Sequence, residues 1–148
     1  DAIVNPANSS LLGGGGVDSF IHQAAGPSLK NACKALTCDT GNAVITPAFS
    51  IATCKFVIHT VGPMEQNPEA LKSCYRSSLS LLVPNRLKSI AFTCISTGVY
   101  GYPNDAAARI AISAVKEFVD SPQNKSVKRI IFCTYTQLDH NIYIRLIP

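Results

Sequence analysis

Two amides, a run of glycines and one acid follow an apolar segment near the start of the chain. Residues 2–4 are apolar, Asn5 and Asn8 come next, and glycines at positions 13–16 precede Asp18. Glycines lack a β-carbon, so this loop can adopt positive φ and bring its backbone N–H groups close to a ligand. Because the loop leads into a helix, the positive end of the helix dipole also favours a bound anion. The sequence therefore predicts a phosphate-binding loop at residues 13–16.

Asp18 has two interpretations at this position. Its carboxylate can cap the helix by accepting from N–H groups of the first turn. Alternatively, it is a base directed at the pocket that receives the phosphates. The two roles are compatible, and the glycine run before Asp18 favours the second, since a cap alone requires no such run.

A second glycine loop follows a later apolar segment, residues 89–95. Ser96, Thr97 and the backbone near Gly98 can bind the far side of a diphosphate, and Tyr100 offers a flat face to a sugar or base. The alternative is a tight turn against which Tyr100 packs. Two such loops after two strands favour a shared phosphate site.

Composition and missing motifs exclude several classes of protein. A Walker A loop needs a Lys-Ser/Thr pair after its glycines, a Rossmann fold needs Gly-x-Gly-x-x-Gly after a strand, and neither is present. With 148 residues, 47% of them hydrophobic and 15% charged, the chain is expected to be one globular domain, residues 1–148. The net charge of +4 is scattered apart from Lys125, Lys128 and Arg129, which supports only a weak preference for polyanions.

Six cysteines raise the question of disulfides or a metal. Cys94 and Cys133 lie in apolar segments and Cys74 on the apolar side of a helix pattern, which suits free thiols acting as small buried hydrophobic groups. No Cys-x-x-Cys pair or Cys/His metal spacing occurs. We expect an intracellular protein (cytoplasmic, or nuclear or mitochondrial in a eukaryote), without metal, cofactor, signal peptide or membrane span.

Strand and helix patterns alternate along the chain. Strands are predicted at 2–4, 43–45, 56–58, 89–95 and 127–135, and helices at 18–25, 28–36, 67–83, 106–119 and 138–146. Segments 89–95 and 127–135 are apolar enough to be buried strands, the first of them central. This order predicts an α/β sandwich with a mixed, largely parallel sheet and helices on both faces. Ligands of such sheets bind beyond the carboxyl ends of the strands, where both glycine loops fall.

The combined motifs resemble the macrodomain family, in particular its MacroD-type branch. They are Asn5-Pro6-Ala7-Asn8 with residues 13–18, Ile58-His59-Thr60-Val61-Gly62-Pro63, and residues 94–103, and the resemblance covers nearly the whole chain. It implies a three-layer αβα sandwich that binds ADP-ribose, with the two glycine loops around the diphosphate. MacroD-type proteins remove mono-ADP-ribose from acidic side chains and deacetylate O-acetyl-ADP-ribose.

The resemblance also implies roles for individual residues. Asn8 corresponds to the amide that holds the distal ribose, Asp18 to the acid that activates or orients the attacking water, and His22 to a supporting residue. A histidine on an apolar helix face also often serves only a core hydrogen bond, so both roles stay open for His22, whereas His59 and His140 are interpreted as structural.

Tyr100 corresponds to the aromatic residue packing on the distal ribose, and Tyr135 to one flanking the adenosine. The ligand-binding residues implied are Pro6, Ala7, Asn8, Gly13, Gly14, Gly15, Gly16, Val17, Ile95, Ser96, Thr97, Gly98, Val99, Tyr100, Gly101 and Tyr135.

Three departures from the family pattern bear on these expectations. Pro6 replaces a common alanine, which restricts the backbone beside Asn8, and Thr93 replaces a common proline. Family members carry an Asp that recognises the adenine amino group ahead of the position of Asp1, so this sequence is expected to lack that Asp and the first N-terminal strand, which would weaken its selectivity for adenine.

Hydrolysis of a ribose ester needs a positioned water, a group that takes its proton and stabilisation of developing charge. Asp18 can serve the first two needs, a phosphate oxygen can assist it, and no nucleophilic Cys or Ser and no metal is required. The main alternative is a non-enzymatic ADP-ribose reader, which needs the loops but not the acid. An RNA- or polyanion-binding module and a phosphatase acting on ADP-ribose phosphate are weaker alternatives. Expected partners are ADP-ribose, mono-ADP-ribosylated proteins and O-acetyl-ADP-ribose, with nucleic acid only as an ADP-ribosylated end and no membrane, and the chain is expected to be a monomer.

Overall fold

A computed structural model describes residues 1–147 apart from the side chain of Gln123, and its centre is a five-stranded sheet. The strands are β1 (Ala2–Ala7), β2 (Ala43–Pro47), β3 (Phe56–Val61), β4 (Ser89–Phe92) and β5 (Arg129–Phe132). They lie in the order β2-β3-β1-β4-β5, with β2 antiparallel to β3 and all other pairs parallel. The predicted mixed, largely parallel sheet is confirmed.

Local capping signals explain where the helices begin. The helices are α1 (Val17–Ala25), α2 (Pro27–Cys33), α3 (Pro68–Ser80), α4 (Asn104–Asp120) and α5 (Gln137–Leu146), with a 3-10 turn at Pro122–Asn124. Gly26, at φ 80°, separates α1 from α2. The Asn67 and Thr136 side chains cap α3 and α5 by accepting from the Ala70 and Asp139 N–H groups. No helix in residues 1–147 has the length and apolarity that crossing a bilayer requires.

The helices cover both faces of the sheet, as the sandwich prediction requires. On one face α1 and α2 pack through Ile21, Ala25 and Leu29 against Val57 and neighbouring residues. On the other face α3, α4 and α5 enclose a larger core. Its members include Leu71, Leu79, Phe92, Ala111 and Tyr143. We call these the α1/α2 face and the α3–α5 face.

Two strand predictions were wrong in detail. The strand predicted at 127–135 is the short edge strand β5, in which Arg129 and Ile131 are exposed, because alternate side chains point to opposite faces of a sheet and the α1/α2 core does not extend to β5. The strand predicted as central is β4, which lies between β1 and β5 while β1 occupies the centre. β4 ends at Phe92 rather than residue 95, and the chain turns into a loop in which Ser96 has φ 65°.

The predicted burial of the cysteines is correct for some of them and wrong for others. All six side chains are free thiols. Cys74 is buried as predicted, but Cys94 is only partly buried and Cys133 is exposed. Cys94, just after β4, still packs against the α3–α5 core, whereas Cys133 directly follows the edge strand β5.

Candidate active site at the carboxyl edge of the sheet

The parallel strands bring the two glycine loops to the same edge of the sheet. β1 and β4 are neighbours, and their carboxyl ends lead into residues 8–16 and 93–103. β3, on the other side of β1, leads into Gly62 and Pro63 at this edge. The predicted convergence of the loops is therefore present.

Both loops present unpaired backbone donors. Within residues 1–147, the N–H groups of Gly13–Gly16 make no hydrogen bond, and neither do those of Gly98, Val99 and Tyr100. Gly13 and Gly16 have φ values of 90° and 60°, which a glycine adopts without strain. The free donors of Gly13–Gly16 directly precede α1, and those of Gly98–Tyr100 lie in the loop after the neighbouring strand β4, so this edge of the sheet is an environment that can hold an anion.

Asn8 and Asp18 converge on Gly14. A β-carbon at Gly14 would lie 2.9 Å from Asn8 Nδ2 and 3.2 Å from Asp18 Oδ2, so this position must remain without a side chain. The Asn8 Oδ1 atom accepts from the Ser10 N–H at 3.0 Å and from its hydroxyl at 2.6 Å. The amide nitrogen of Asn8 is thereby left as the donor toward Gly14.

The two oxygens of Asp18 have different environments. The residue is only 3% exposed, and Oδ1 accepts from Asn5 Nδ2 at 2.8 Å. Oδ2 makes no hydrogen bond within residues 1–147 and lies toward Gly14 and Asn8. Asp18 makes no capping hydrogen bond, and Gly16 holds the N-cap position, so the helix-cap interpretation was wrong.

A buried chain of side chains continues behind Asp18. Asn5 Nδ2 also lies 3.1 Å from His59 Nδ1, and His59 Nε2 lies 3.0 Å from Thr46 Oγ1. Asn5 and His59 are fully buried. Burial, with a smaller effect of His22, lowers the pKa of His59 to about 4, so its imidazole is neutral at physiological pH.

His22 lies one turn after Asp18 on α1. Its Nε2 atom is 3.4 Å from Asp18 Oδ1, without hydrogen-bond geometry, and it has no other partner in the described chain. The ring packs beneath Gly13, whose β-carbon would be 3.5 Å away. His22 therefore contacts both the acid and the loop, which fits the supporting role.

Among the described residues, one cluster could hold a metal, since a ligand atom from each member lies within 4.8 Å of the others: His22, Cys33 and His59. Cys33 Sγ is 3.8 Å from His59 Nε2. However, burial and the nearby Asp18 raise the pKa of the Cys33 thiol, which disfavours the thiolate that a metal needs. His59 Nε2 already lies within hydrogen-bond distance of Thr46 Oγ1. The contacts of His59 with Cys33 and Thr46 are therefore those of a hydrogen-bonded core.

The second loop approaches β3 at Gly62. A β-carbon at Gly62 would lie 2.2 Å from Ser96 Oγ and 2.8 Å from Ile95 Cγ2. Ser96 Oγ is buried there without a partner in the described residues, and the Thr97 hydroxyl donates to the Cys94 carbonyl at 2.9 Å. The hydroxyls predicted to bind a diphosphate therefore point elsewhere in this conformation, and the free N–H groups are the available donors.

The remaining predicted residues lie around these loops. Pro6 and Ala7 end β1, Ile95 is buried, Tyr100 is partly buried, and Val17, Val99 and Gly101 are exposed. Tyr135 is 95% exposed, just past β5, beside a cavity of about 280 Å³ lined with Thr134, Thr136 and His140. A separate cavity of about 460 Å³ lies beside β2 and α3, and none of its lining residues belongs to either loop.

Comparison with known proteins agrees with this architecture. A family model described as Macro domain matches residues 4–111. The chain is a macrodomain. "ADP-ribose glycohydrolase MACROD1" of Bos taurus is 52% identical over 155 residues, covering all of this chain and 47% of the relative. "ADP-ribose glycohydrolase MACROD2" of Xenopus laevis is 51% identical, covering 98% of this chain and 36% of the relative. This macrodomain thus spans less than half the length of these curated relatives.

A solved structure shares the fold over the whole chain. The Trypanosoma brucei macrodomain in complex with ADP-ribose has a TM-score of 0.96 and 41% sequence identity, covering 100% of this chain and 63% of that one. The expected resemblance to the MacroD-type branch is confirmed by the two relatives above.

Sequence reasoning missed three residues of this macrodomain's site. In the sequence, Asn5 stands out only as an amide of the first motif, His59 is interpreted as structural, and Gly62 is only one member of the motif at residues 58–63. The sequence contains part of the information for Asn5 and His59, because polar residues in buried strands need buried hydrogen-bond partners. Their pairing depends on the register Asn5↔His59, which pattern alone does not reveal.

Proposed function

We propose that this macrodomain binds ADP-ribose at the carboxyl edge of its sheet. The free N–H groups of Gly13–Gly16 and of Gly98–Tyr100 hold the diphosphate from two sides. The positive end of α1 adds to the attraction for this anion. Tyr100 packs on the distal ribose, and Tyr135 covers the adenosine by moving from its exposed position.

We further propose that the site hydrolyses the ester between ADP-ribose and an acidic side chain. The observation that carries this proposal is the asymmetry of Asp18, whose Oδ1 is held by Asn5 while Oδ2 faces Gly14 without a hydrogen bond. Asn8 Nδ2 donates to the distal ribose beside that oxygen. Asp18 Oδ2 accepts the proton of a water that attacks the ester, and the products are free ADP-ribose and the free carboxylic acid.

Orientation supplies much of the rate acceleration in this scheme. The diphosphate is fixed by backbone groups that need no rearrangement, and the acid is fixed by a buried amide, so water and ester meet in a defined geometry. O-acetyl-ADP-ribose presents the same kind of ester to the same water. The names of the two curated relatives support the hydrolase, and the ADP-ribose complex of the Trypanosoma brucei protein supports the ligand.

The test is release of ADP-ribose from a protein carrying mono-ADP-ribose on glutamate. The parent chain is expected to release it. Asp18→Asn keeps shape and an acceptor for Asn5 but removes the charge, and we expect a loss of at least about 100-fold in kcat, the usual scale of general-base catalysis. Asp18→Ala should behave similarly.

Calorimetric titration with ADP-ribose provides the control. Binding by parent and Asp18→Asn with release only by the parent supports the hydrolase. Binding without release by the parent would contradict the hydrolase and leave an ADP-ribose reader. No binding by the parent would contradict both.

A further inference from the structure

Asn5 and His59 form a buried polar pair directly behind the catalytic acid. They are paired in the register of the adjacent parallel strands β1 and β3, and both side chains are fully buried. Neither residue reaches the cleft. Any effect on the reaction must therefore pass through Asp18.

The hydrogen bonds assign the protonation of His59. Asn5 Nδ2 is a donor with two hydrogens, one directed to Asp18 Oδ1 at 2.8 Å and the other to His59 Nδ1 at 3.1 Å. His59 Nδ1 must then be unprotonated, so the neutral ring carries its hydrogen on Nε2. Thr46 Oγ1, 3.0 Å from Nε2, accepts that hydrogen.

The oxygen of Asn5 contributes nothing to this orientation. Asn5 Oδ1 is buried and has no hydrogen-bond partner within the described chain. The amide is therefore oriented by the two acceptors of its nitrogen alone. Without His59 Nδ1, one Asn5 hydrogen would be buried unpaired, and one of two restraints on the amide would be lost.

The opposite orientation of Asn5 would disturb the acid. It would bring the amide oxygen against Asp18 Oδ1, and Asp18 would lose its hydrogen bond. The carboxylate could then rotate, and the distinction between a held Oδ1 and an open Oδ2 would disappear.

We propose that neutral His59 is a positioning residue for the hydrolase reaction: by accepting from Asn5, it directs the amide nitrogen to Asp18 and leaves Oδ2 as the reacting oxygen. The effect runs from Thr46 on β2 through His59 on β3 and Asn5 on β1 to Asp18 on α1. This inference rests on the proposed function, since it concerns the same acid.

The first test is the tautomer of His59 in the intact chain. Long-range ¹H–¹⁵N NMR of the imidazole at neutral pH should show an unprotonated Nδ1 and a protonated Nε2. An Nδ1-protonated or doubly protonated ring would overturn the proposal. This measurement needs no variant and does not depend on activity.

The second test separates positioning from structure with two variants. His59→Leu removes the acceptor, and His59→Asn places an amide oxygen near the position of Nδ1. We expect His59→Leu to lower kcat by about 10-fold to 100-fold, the scale of a misplaced catalytic group, with an unchanged Kd for ADP-ribose. His59→Asn should recover most of that loss.

Other outcomes contradict the proposal in distinct ways. Equal losses in both variants, or a parallel loss of ADP-ribose binding, would indicate a merely structural role. Undiminished kcat in His59→Leu would show that Asn5 needs no second acceptor. If the parent chain released no ADP-ribose, the proposed function would fail instead, and the tautomer assignment would still stand or fall on its own measurement.

Discussion

The two faces of the sheet bury their polar side chains in different ways. On the α3–α5 face, Thr60 donates to the Asn42 carbonyl and Ser78 to the Cys74 carbonyl, and the buried Asp139 of α5 accepts from Asn104 and from the Thr136 hydroxyl. Most of that core is apolar, with aromatic contacts such as Tyr75–Phe92 at 4.9 Å between ring centroids. On the α1/α2 face, Asn5, Asp18 and His59 bond mainly to one another.

This difference implies that one face contributes mainly to folding stability and the other mainly to the reaction. A side chain that bonds to a neighbouring backbone carbonyl is satisfied without a second side chain, and its removal affects little else. A chain of side chains is satisfied only as a unit, so each member constrains the next and the acid at its end is fixed. The α3–α5 face should therefore control whether the domain folds, and the α1/α2 face whether it reacts.

The largest effect on stability is expected from truncation in the α3–α5 core. Leu79 is 1% exposed on α3, near the end of that helix farthest from the glycine loops. Leu79→Ala should cost about 2–5 kcal/mol in the free energy of unfolding through lost burial and a cavity. Chemical denaturation measures the loss. kcat of the folded fraction should be unchanged, and a matching fall in kcat would refute the separation of the faces.

A matched variant lies in the same helical layer. Val119 on α4 is exposed, so Val119→Ala should change stability by no more than about 0.5 kcal/mol. If Val119→Ala lowered the free energy of unfolding as much as Leu79→Ala, burial would not be what determines the size of these losses.

The α1/α2 face should make stability depend on pH. The folded-state pKa of His59, about 4, lies below its ordinary value of 6.5, so the unfolded chain binds the extra proton between these values. The His59 contribution is fully present above pH 6.5 and is lost as pH falls to about 4, a change of about 3 kcal/mol. Asp18, His22 and Cys33 are the other titratable groups around it.

Urea unfolding of the parent and of His59→Asn across this pH range isolates the effect. The difference between their unfolding free energies should shrink with decreasing pH. A difference that is independent of pH would show that His59 is protonated in the folded state as readily as in the unfolded chain.

A substitution where the second loop approaches the end of β3 should have an effect of intermediate size on stability. Gly62→Ala places a β-carbon 2.2 Å from Ser96 Oγ and 2.8 Å from Ile95 Cγ2, so the loop must move. We expect a loss of about 1–3 kcal/mol in stability, as for other overpacked sites, and weaker ADP-ribose binding by calorimetry. Gly15→Ala, with nothing within 4 Å and an ordinary φ, is the steric control for stability. Unchanged ADP-ribose affinity in Gly62→Ala would mean that the second loop does not bind the ligand.

The smallest effect is expected from the partnerless hydroxyl of Ser96. Ser96→Ala removes no hydrogen bond, so stability should change by less than about 0.5 kcal/mol. ADP-ribose affinity should stay within about threefold of the parent, because the free N–H groups of the loop remain, and a net hydrogen bond is worth about 1 kcal/mol. A much larger loss would show that Ser96 rotates to bind the ligand, as its position in the motif predicts.

Much of the fold followed from local pattern. The alternation of strands and helices, the positions of all five helices to within a few residues, and the convergence of two glycine loops were predicted correctly. The predicted strand at 127–135 failed because apolar residues occur in edge strands as well as buried ones, and strand order is not a local property. Cys133 was misplaced for the same reason.

For the site, the sequence alone determined which residues supply the chemistry: the glycines with their N–H groups, Asn8 and Asp18 on either side of the glycine run, and the helix that follows. Only the tertiary structure decided which oxygen of Asp18 is held. That outcome depends on Asn5 facing His59 across two strands that lie 54 residues apart in the chain. Hydrogen bonds between such strands follow from sheet register, and register is set by the packing of the whole domain rather than by the residues that make the bonds.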